Sequence, residues 1–393
     1  LALGLLAAAG WAGRSVAAGA ATVARVSGNV ESQPSVSNGV VSAWIAPYDA
    51  YFLIDTRNLG QRSKALALLQ QARQESRRIV VVFDPSSGTI DLASSTPSFR
   101  ILELDYGQTR LVIDPDPTGA APQGASGSAA KAVAAGLARR YSGDWTGAAS
   151  DLKAALADVA LPPTIRALAY RSLGEMAQEQ GEGDYQIGSA DSDRLLVEAL
   201  GDFRAEQAEE PDSVNTKIEI GNVLMNLGAY DEALAIYKDL ADNVKDQEFW
   251  ANIAISYIHR TAGDYVLALK TLDDLARKKG PNSMPYHYHR GLTLLQMGRD
   301  PEAADEFTTG LRFQPDYAWA LMSRACAYGR QGRLKDALAD ARRASDLMAQ
   351  MASERAFVRE PHNQARAAAV MQELSAAVAA GKPDKLDSAC KGF

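Results

Sequence analysis

A chain of 393 residues, 47% hydrophobic and 23% charged, is long enough for two or three domains and has the make-up of a folded protein rather than a disordered one. Its formal net charge of -7, with Lys and Arg dispersed along the chain, excludes a general nucleic-acid role, because phosphate backbones are held by a concentrated basic surface.

The first residues bear on compartment. Leu1 to Gly10 is an apolar run, followed by Arg14 and the small-residue stretch Ala18-Gly19-Ala20. That is the layout of a secretory signal peptide, and it predicts a remnant over residues 1–21 and export, to the bacterial periplasm or envelope, with a cytoplasmic location as the alternative. Two plainer readings are an uncleaved anchor, which Arg14 interrupts, and an ordinary Ala-rich helix. No later stretch reaches the length of a membrane-spanning helix.

Residues 22–114 form a small, mostly β module. Thr22 to Ser32 alternates apolar and polar residues as a strand does, and Val40 to Ile54 holds two more strand-like runs broken at Pro47. Between Leu59 and Arg78 the period changes to helical, with Ala65, Leu66, Leu68, Leu69 and Ala72 on one stripe. Ile79 to Phe83 reads as a buried strand, Asp84 to Gly88 as a turn and Thr89 to Leu92 as the next strand. Phe99 to Tyr106 and Arg110 to Ile113 complete the module. Strands, one helix, then strands resembles the element order of a five-stranded barrel of the OB type; an open α+β sheet carrying one helix is the alternative.

Asp114 onward is a Pro-, Gly- and Ser-rich stretch, so residues 115–129 are expected to be a flexible linker. Two weak repeats follow, one carrying Gly136, Gly143, Trp145 and Ala148, the other Gly174, Gly181, Ala199, Phe203 and Pro211. The second contains an excess of about 13 residues centred on Glu182 to Asp193, expected to be a loop. From Pro211 to Met348 one pattern then comes round four times. Gly221, Ala254, Gly291 and Ala325 take a small-residue position in a first helix; Ala233, Ala268, Ala303 and Ala337 take one in a second helix. Tyr237, Leu272 and Phe307 supply the large side chain, and Gly291 to Ala325 spans 34 residues. The copy beginning at Gln247 is read as two residues longer in its helix-to-helix turn. This set resembles the tetratricopeptide repeat (TPR).

The resemblance implies a multidomain chain: an all-α TPR superhelix of about six helix pairs over 130–348, preceded by the β-rich module. Capping helices over 349–382 and a mobile tail over 383–393 would follow. It also implies a concave groove lined by the first helix of each pair, binding an extended or helical segment of a partner protein. Read by repeat position, the groove should include Asn222, Met225, Asn226, Asn252, His259, Tyr288, Gln296, Trp319, Met322 and Arg330. Asn both donates and accepts, and Met, Tyr and Trp give adaptable apolar contact. Asn222 and Asn252 fall on the Asn positions of the carboxylate-clamp TPR proteins. Ile218, Pro285 and His289 occupy that subfamily's basic positions, so its clamp charge is absent.

Nothing competes with an interaction role. No Gly-x-Ser-x-Gly elbow or phosphate-binding Gly-rich loop is present, and the His287/His289 pair lies two apart on a helix, a poor chelate. The expected function is therefore that of a non-enzymatic, cofactor-free and metal-free scaffold. The alternative makes the β module the binding end, for a saccharide or other envelope ligand, with the helical half as an assembly platform. Cys326 and Cys390, the two cysteines, either pair in an oxidising compartment or remain two small hydrophobes.

Overall fold

The structure is a computed structural model. It describes residues 23–113 apart from 38–39, 47, 49, 57 and 91–95, then 128–183 and 188–354, and the single positions Gln372, Ala376 and Cys390. The signal-like segment, nearly all of the linker and most of the expected cap and tail lie outside them. The described residues fall into two compact units, one comprising those up to 176 with 205–211, the other those of 177–204 with those from 212 onward.

The first unit is built on seven strands, β1 (Ala24–Val30), β2 (Ser35–Ser37), β3 (Val40–Ala46), β4 (Tyr51–Ile54), β5 (Ile79–Ile90), β6 (Pro97–Tyr106) and β7 (Thr109–Val112), with α1 (Leu59–Gln74) between β4 and β5. The order β1-β5-β6-β4-β3 closes on itself because β1 also pairs with β3. Dropping the short β2 and β7 leaves five barrel strands with the helix between the third and fourth. The third and fifth, β4 and β6, run parallel. This is the OB arrangement; the open-sheet alternative fails because β1 is shared by two neighbours.

The sharing occurs at Gly28. Ala24 to Gly28 pair with β5, and Asn29 and Val30 pair with β3. A Cβ at Gly28 would stand 2.1 Å from the carbonyl oxygen of Ala46, so only glycine lets the strand turn this corner. Gly28→Ala is expected to cost about 3 kcal/mol, the upper part of the overpacking range, because the clash is with backbone. Chemical denaturation of the full chain measures it, and a change below about 1 kcal/mol would refute the close approach.

Alternation carries the core. Val41, Ala43, Ile45, Phe52 and Ile54 point inward together with Val81, Phe83 and Ile101. Phe83 packs its ring 5.3 Å from Phe52 and 5.1 Å from Phe99. The expected turn at Asp84 to Gly88 is instead an irregularity within the single strand β5. There Ser87 Oγ donates to the Asp84 carbonyl at 2.6 Å and accepts from the Arg100 N–H at 2.8 Å, supplying polar partners where the ladder is broken.

The helical part comprises α2 (Ser128–Tyr141), α3 (Trp145–Leu156), α4 (Pro163–Gly183), α5 (Ala190–Glu209), α6 (Val214–Asn226), α7 (Tyr230–Asn243), α8 (Glu248–Thr261), α9 (Tyr265–Lys279), α10 (Met284–Gln296), α11 (Asp300–Phe313), α12 (Ala318–Arg330) and α13 (Leu334–Glu354). Successive helices pair as six hairpins. The first hairpin belongs to the barrel's own unit: α2 packs on β5, and Tyr141 sets its ring 5.3 Å from Tyr48 and 6.1 Å from Phe99. The excess expected as a loop is helical at both of its ends, while residues 184–187 lie outside the described residues. Glu182 and Gly183 end α4, and Ala190 to Asp193 open α5, where Asp191 and Asp193 suit the positive helix N-terminus.

Each later hairpin turns on a glycine with positive φ: Gly228 (74°), Gly263 (86°), Gly298 (73°) and Gly332 (75°). The N–H of the residue after each of them reaches back to the preceding helix, as in Ala229 to Leu224 at 2.9 Å and Asp264 to His259 at 2.7 Å. Counting from these glycines corrects one expectation. Ser256, not Ala254, is the counterpart of Gly221 and Gly291. Its Oγ donates to the Ala268 carbonyl across the hairpin at 3.2 Å. The turn after α8 is of ordinary length and the two-residue excess disappears, because Gly221, Ser256 and Gly291 follow one another at 35 residues each; Lys245–Gln247, before α8, form a short 3-10 turn. Where glycine stands, the facing aromatic fills the space: a Cβ on Gly221 would be 2.8 Å from Tyr237, and one on Gly291 would be 2.6 Å from Phe307.

Candidate interaction face

Among the first helices, α10 touches both α8 and α12, and α6 shares one core cluster with α8. Their partner helices complete the core on the other side, so the side chains not aimed at α7, α9, α11 and α13 constitute the candidate face.

The ten expected groove residues do not share one fate. Asn222 accepts a 2.7 Å hydrogen bond from the Tyr237 hydroxyl, and Asn226 donates to Glu182 at 2.7 Å, a carboxyl whose pKa burial raises. Asn252 bonds back to the Glu248 carbonyl of its own helix at 2.7 Å. With the register of α8 moved by two residues, Asn252 and His259 leave the lining positions. Arg330 is tied to the Leu295 carbonyl at 3.1 Å and lies 3.6 Å from Asp300. Met322 is wholly buried and belongs to the core, because α12 packs that face inward. Met225, Tyr288 and Trp319 are partly buried, resting on the core beneath them, and Gln296 is exposed at the end of α10.

The corrected register brings forward residues that the sequence pattern hid. Trp250 is 56% exposed at the start of α8. Tyr257 and Arg260 occupy the next lining turns of the same helix, and the Arg260 guanidinium carbon sits 5.0 Å from the Tyr257 ring centroid. Across on α10, His289 stands 6.5 Å from Tyr257, centroid to centroid, and Tyr288 stacks edgewise on Tyr317 at 5.3 Å. Burial, reinforced by the charge of Arg260, pushes the His289 imidazole down to about 3, so it is neutral at any physiological pH. The signal that would have found Trp250, Tyr257 and Arg260 is Gly263: aligning the repeats on the turn glycine rather than on the small residue gives the right register.

His287 and His289 diverge as expected. His287 Nδ1 is 2.7 Å from Glu306 on α11, and its ring stacks on Phe313 at 5.8 Å, while His289 faces α8. Among the described residues no group of three or more His, Cys, Asp or Glu could hold a metal ion, and no helix is long and apolar enough to cross a membrane. Cys326, on α12, is joined to Cys390 by a disulfide, and both are buried in the last core cluster.

No family model matches the sequence, and no curated protein matches it. Among solved structures, the chain is similar to a thermophilic TPR protein of Thermus thermophilus (23% identity over 46% of this chain and 98% of that one, TM-score 0.36). A tetratricopeptide repeat protein from Parabacteroides merdae aligns at 18% identity over 63% and 99% of the two chains, with a TM-score of 0.45. YrrB, described as a TPR protein with an unusual peptide-binding site, aligns at 18% identity over 46% and 86%, with a TM-score of 0.29. This chain's own geometry, hairpins closed by the positive-φ glycines Gly228, Gly263, Gly298 and Gly332 at spacings of 35, 35 and 34 residues, with Gly221 and Gly291 meeting Tyr237 and Phe307, gives the helical half the fold of a tetratricopeptide-repeat array.

Proposed function

We propose that the chain is a non-enzymatic protein-interaction scaffold whose helical half holds a segment of a partner protein along α6, α8, α10 and α12. The observation that carries this reading is the row of large aromatics on those first helices, Trp250, Tyr257, Tyr288 and Trp319. Trp250 stands more than half exposed with no core to fill. Tyrosine and tryptophan give large contact area at low entropy cost and dominate protein interfaces. In the full chain, Trp250→Ala together with Trp319→Ala is expected to weaken capture of the native partner about 30-fold or more while leaving the melting temperature within a few degrees. Undiminished capture rejects the face.

The scaffold is further proposed to work outside the reducing cytoplasm. The Cys326–Cys390 bridge supports this, since such bonds persist in oxidising compartments. Thiol alkylation and intact mass of the protein from its native cells test it; two modified cysteines would sink it.

A second reading gives the barrel its own ligand. Trp44 and Tyr51 are cross-strand partners on β3 and β4, with ring centroids 5.0 Å apart and Tyr51 39% exposed. They lie on the face of the second and third barrel strands, which OB barrels use for oligosaccharides and oligonucleotides. Under this reading Trp44→Ala with Tyr51→Ala removes saccharide binding while the Trp250/Trp319 pair leaves it intact.

A further inference from the structure

Every Lys and Arg of the four first helices except one has an acidic partner. Lys217 meets Asp239 at 2.9 Å, Arg290 meets Glu306 at 2.9 Å, Arg324 holds Asp340 through two bonds of 2.7 and 2.9 Å, and Arg330 lies 3.6 Å from Asp300. Arg260 is the exception among the described residues. It is 7% exposed, yet its side chain makes no hydrogen bond or ion pair, and its Nε is buried without a partner. Its surroundings are aromatic: the ring of Tyr257 lies against the guanidinium, Tyr265 and Tyr288 are near, and no carboxylate of the described residues is close. Cation–π contact offsets part of the cost of burying the charge but leaves the in-plane donors unused. Nε is covered, and the two Nη nitrogens have no hydrogen bond in the free protein among the described residues.

Resting on the reading of this face as a partner-binding surface, we propose that Arg260 receives a carboxylate side chain, Glu or Asp, from the bound segment. The fork of guanidinium donors matches a carboxylate in its plane, and the Tyr257 ring 5.0 Å away supplies no acceptor to compete for it. Neutral His289 beside it adds no competing charge. The acid comes from a side chain and not from a chain end, because α8 is an inner helix of the row, sharing a core cluster with α6 and touching α10, which in turn touches α12. A segment running the length of the row passes over Arg260 and continues toward Trp319. A buried charge left without a counter-ion in the free protein is a stability cost retained for what binds it.

The experiment uses the full chain, Arg260→Met and Arg260→Lys. Each is screened against a positional library of decapeptides acetylated and amidated at their ends, and melted in sodium propionate or in propionamide at matched ionic strength. Expected is enrichment of Glu or Asp over Gln at one library position by about tenfold in the wild type, lost in Arg260→Met and partly kept in Arg260→Lys. Propionate should raise the wild-type melting temperature more than propionamide does, and not in Arg260→Met. Without ligand, Arg260→Met should melt at or above the wild type. A library that selects apolar residues with no acidic preference would leave the groove standing and overturn this proposal. A library with no selection at all would overturn both. Enrichment confined to free C-terminal carboxylates in a non-amidated control, or to phosphorylated peptides, would overturn the side-chain assignment. An Arg260→Met protein less stable than the wild type would make Arg260 a structural residue and overturn the proposal.

Discussion

Phe307→Ala is expected to lower the stability of the helical array by about 3–5 kcal/mol, the cost of truncating a wholly buried phenylalanine. Phe307 is 0% exposed and occupies the space opposite Gly291, where even a single Cβ would come within 2.6 Å of its ring. The cavity cannot be refilled from that side, because glycine has nothing to move into it. Tyr288, 6.2 Å from Phe307 between centroids, would be the nearest aromatic neighbour to shift, which would disturb the candidate face as well. The measurement is chemical denaturation of the full chain followed by helical circular dichroism, reading the earliest helical transition since repeats unfold semi-independently. A loss below about 1 kcal/mol would show that the hairpin does not depend on this contact. Combining Gly291→Ala with Phe307→Leu should recover part of the sum of the two single losses, as neighbouring sites are not additive.

Reducing the Cys326–Cys390 bond, or replacing Cys390 by alanine, is expected to cost up to about 4 kcal/mol. The two cysteines are separated by 64 positions, and cross-linking a loop of that length removes much freedom from the unfolded chain. Both side chains sit in the apolar cluster with Met322, Ala325 and Ala344, so the bond also brings Cys390 over the last repeat. Terminal repeats need such cover because their outward face has no following neighbour. Thermal melting with and without reductant measures the effect, with Cys390→Ala as the control whose melting should no longer respond to reductant. Equal melting of the oxidised and reduced wild type would refute a stabilising bridge.

The repeat architecture was legible because its signal is local and periodic. Gly221 with Tyr237 and Gly291 with Phe307 announce close helix packing within one hairpin, and alternation at Val40 to Ile54 announces strands within one segment. At α8 the local signal is ambiguous. Ala254 and Ser256 are both small, and only the positive φ of Gly263 decides between them. The β5 irregularity was missed for a similar reason: Asp84-Pro85-Ser86-Ser87-Gly88 has the composition of a turn, but Ser87 satisfies β6 backbone and keeps the strand whole. The barrel order was visible as an order of elements, while its closure depended on Gly28 meeting Ala46, a contact between strands the sequence does not pair.

What this sequence determined unaided is therefore the chain of hairpins and the alternating strands, since periodicity and turn chemistry act between residues a few positions apart. Tertiary structure alone decided which side chains remain available. Asn222, Asn226 and Arg330 carry the right chemistry for a binding face but are engaged by Tyr237, Glu182 and Asp300, whereas Arg260, which nothing in the sequence sets apart from Arg330, has no acidic neighbour among the described residues. Whether a charge is paired depends on what other helices bring within a few ångströms, and no local pattern records that.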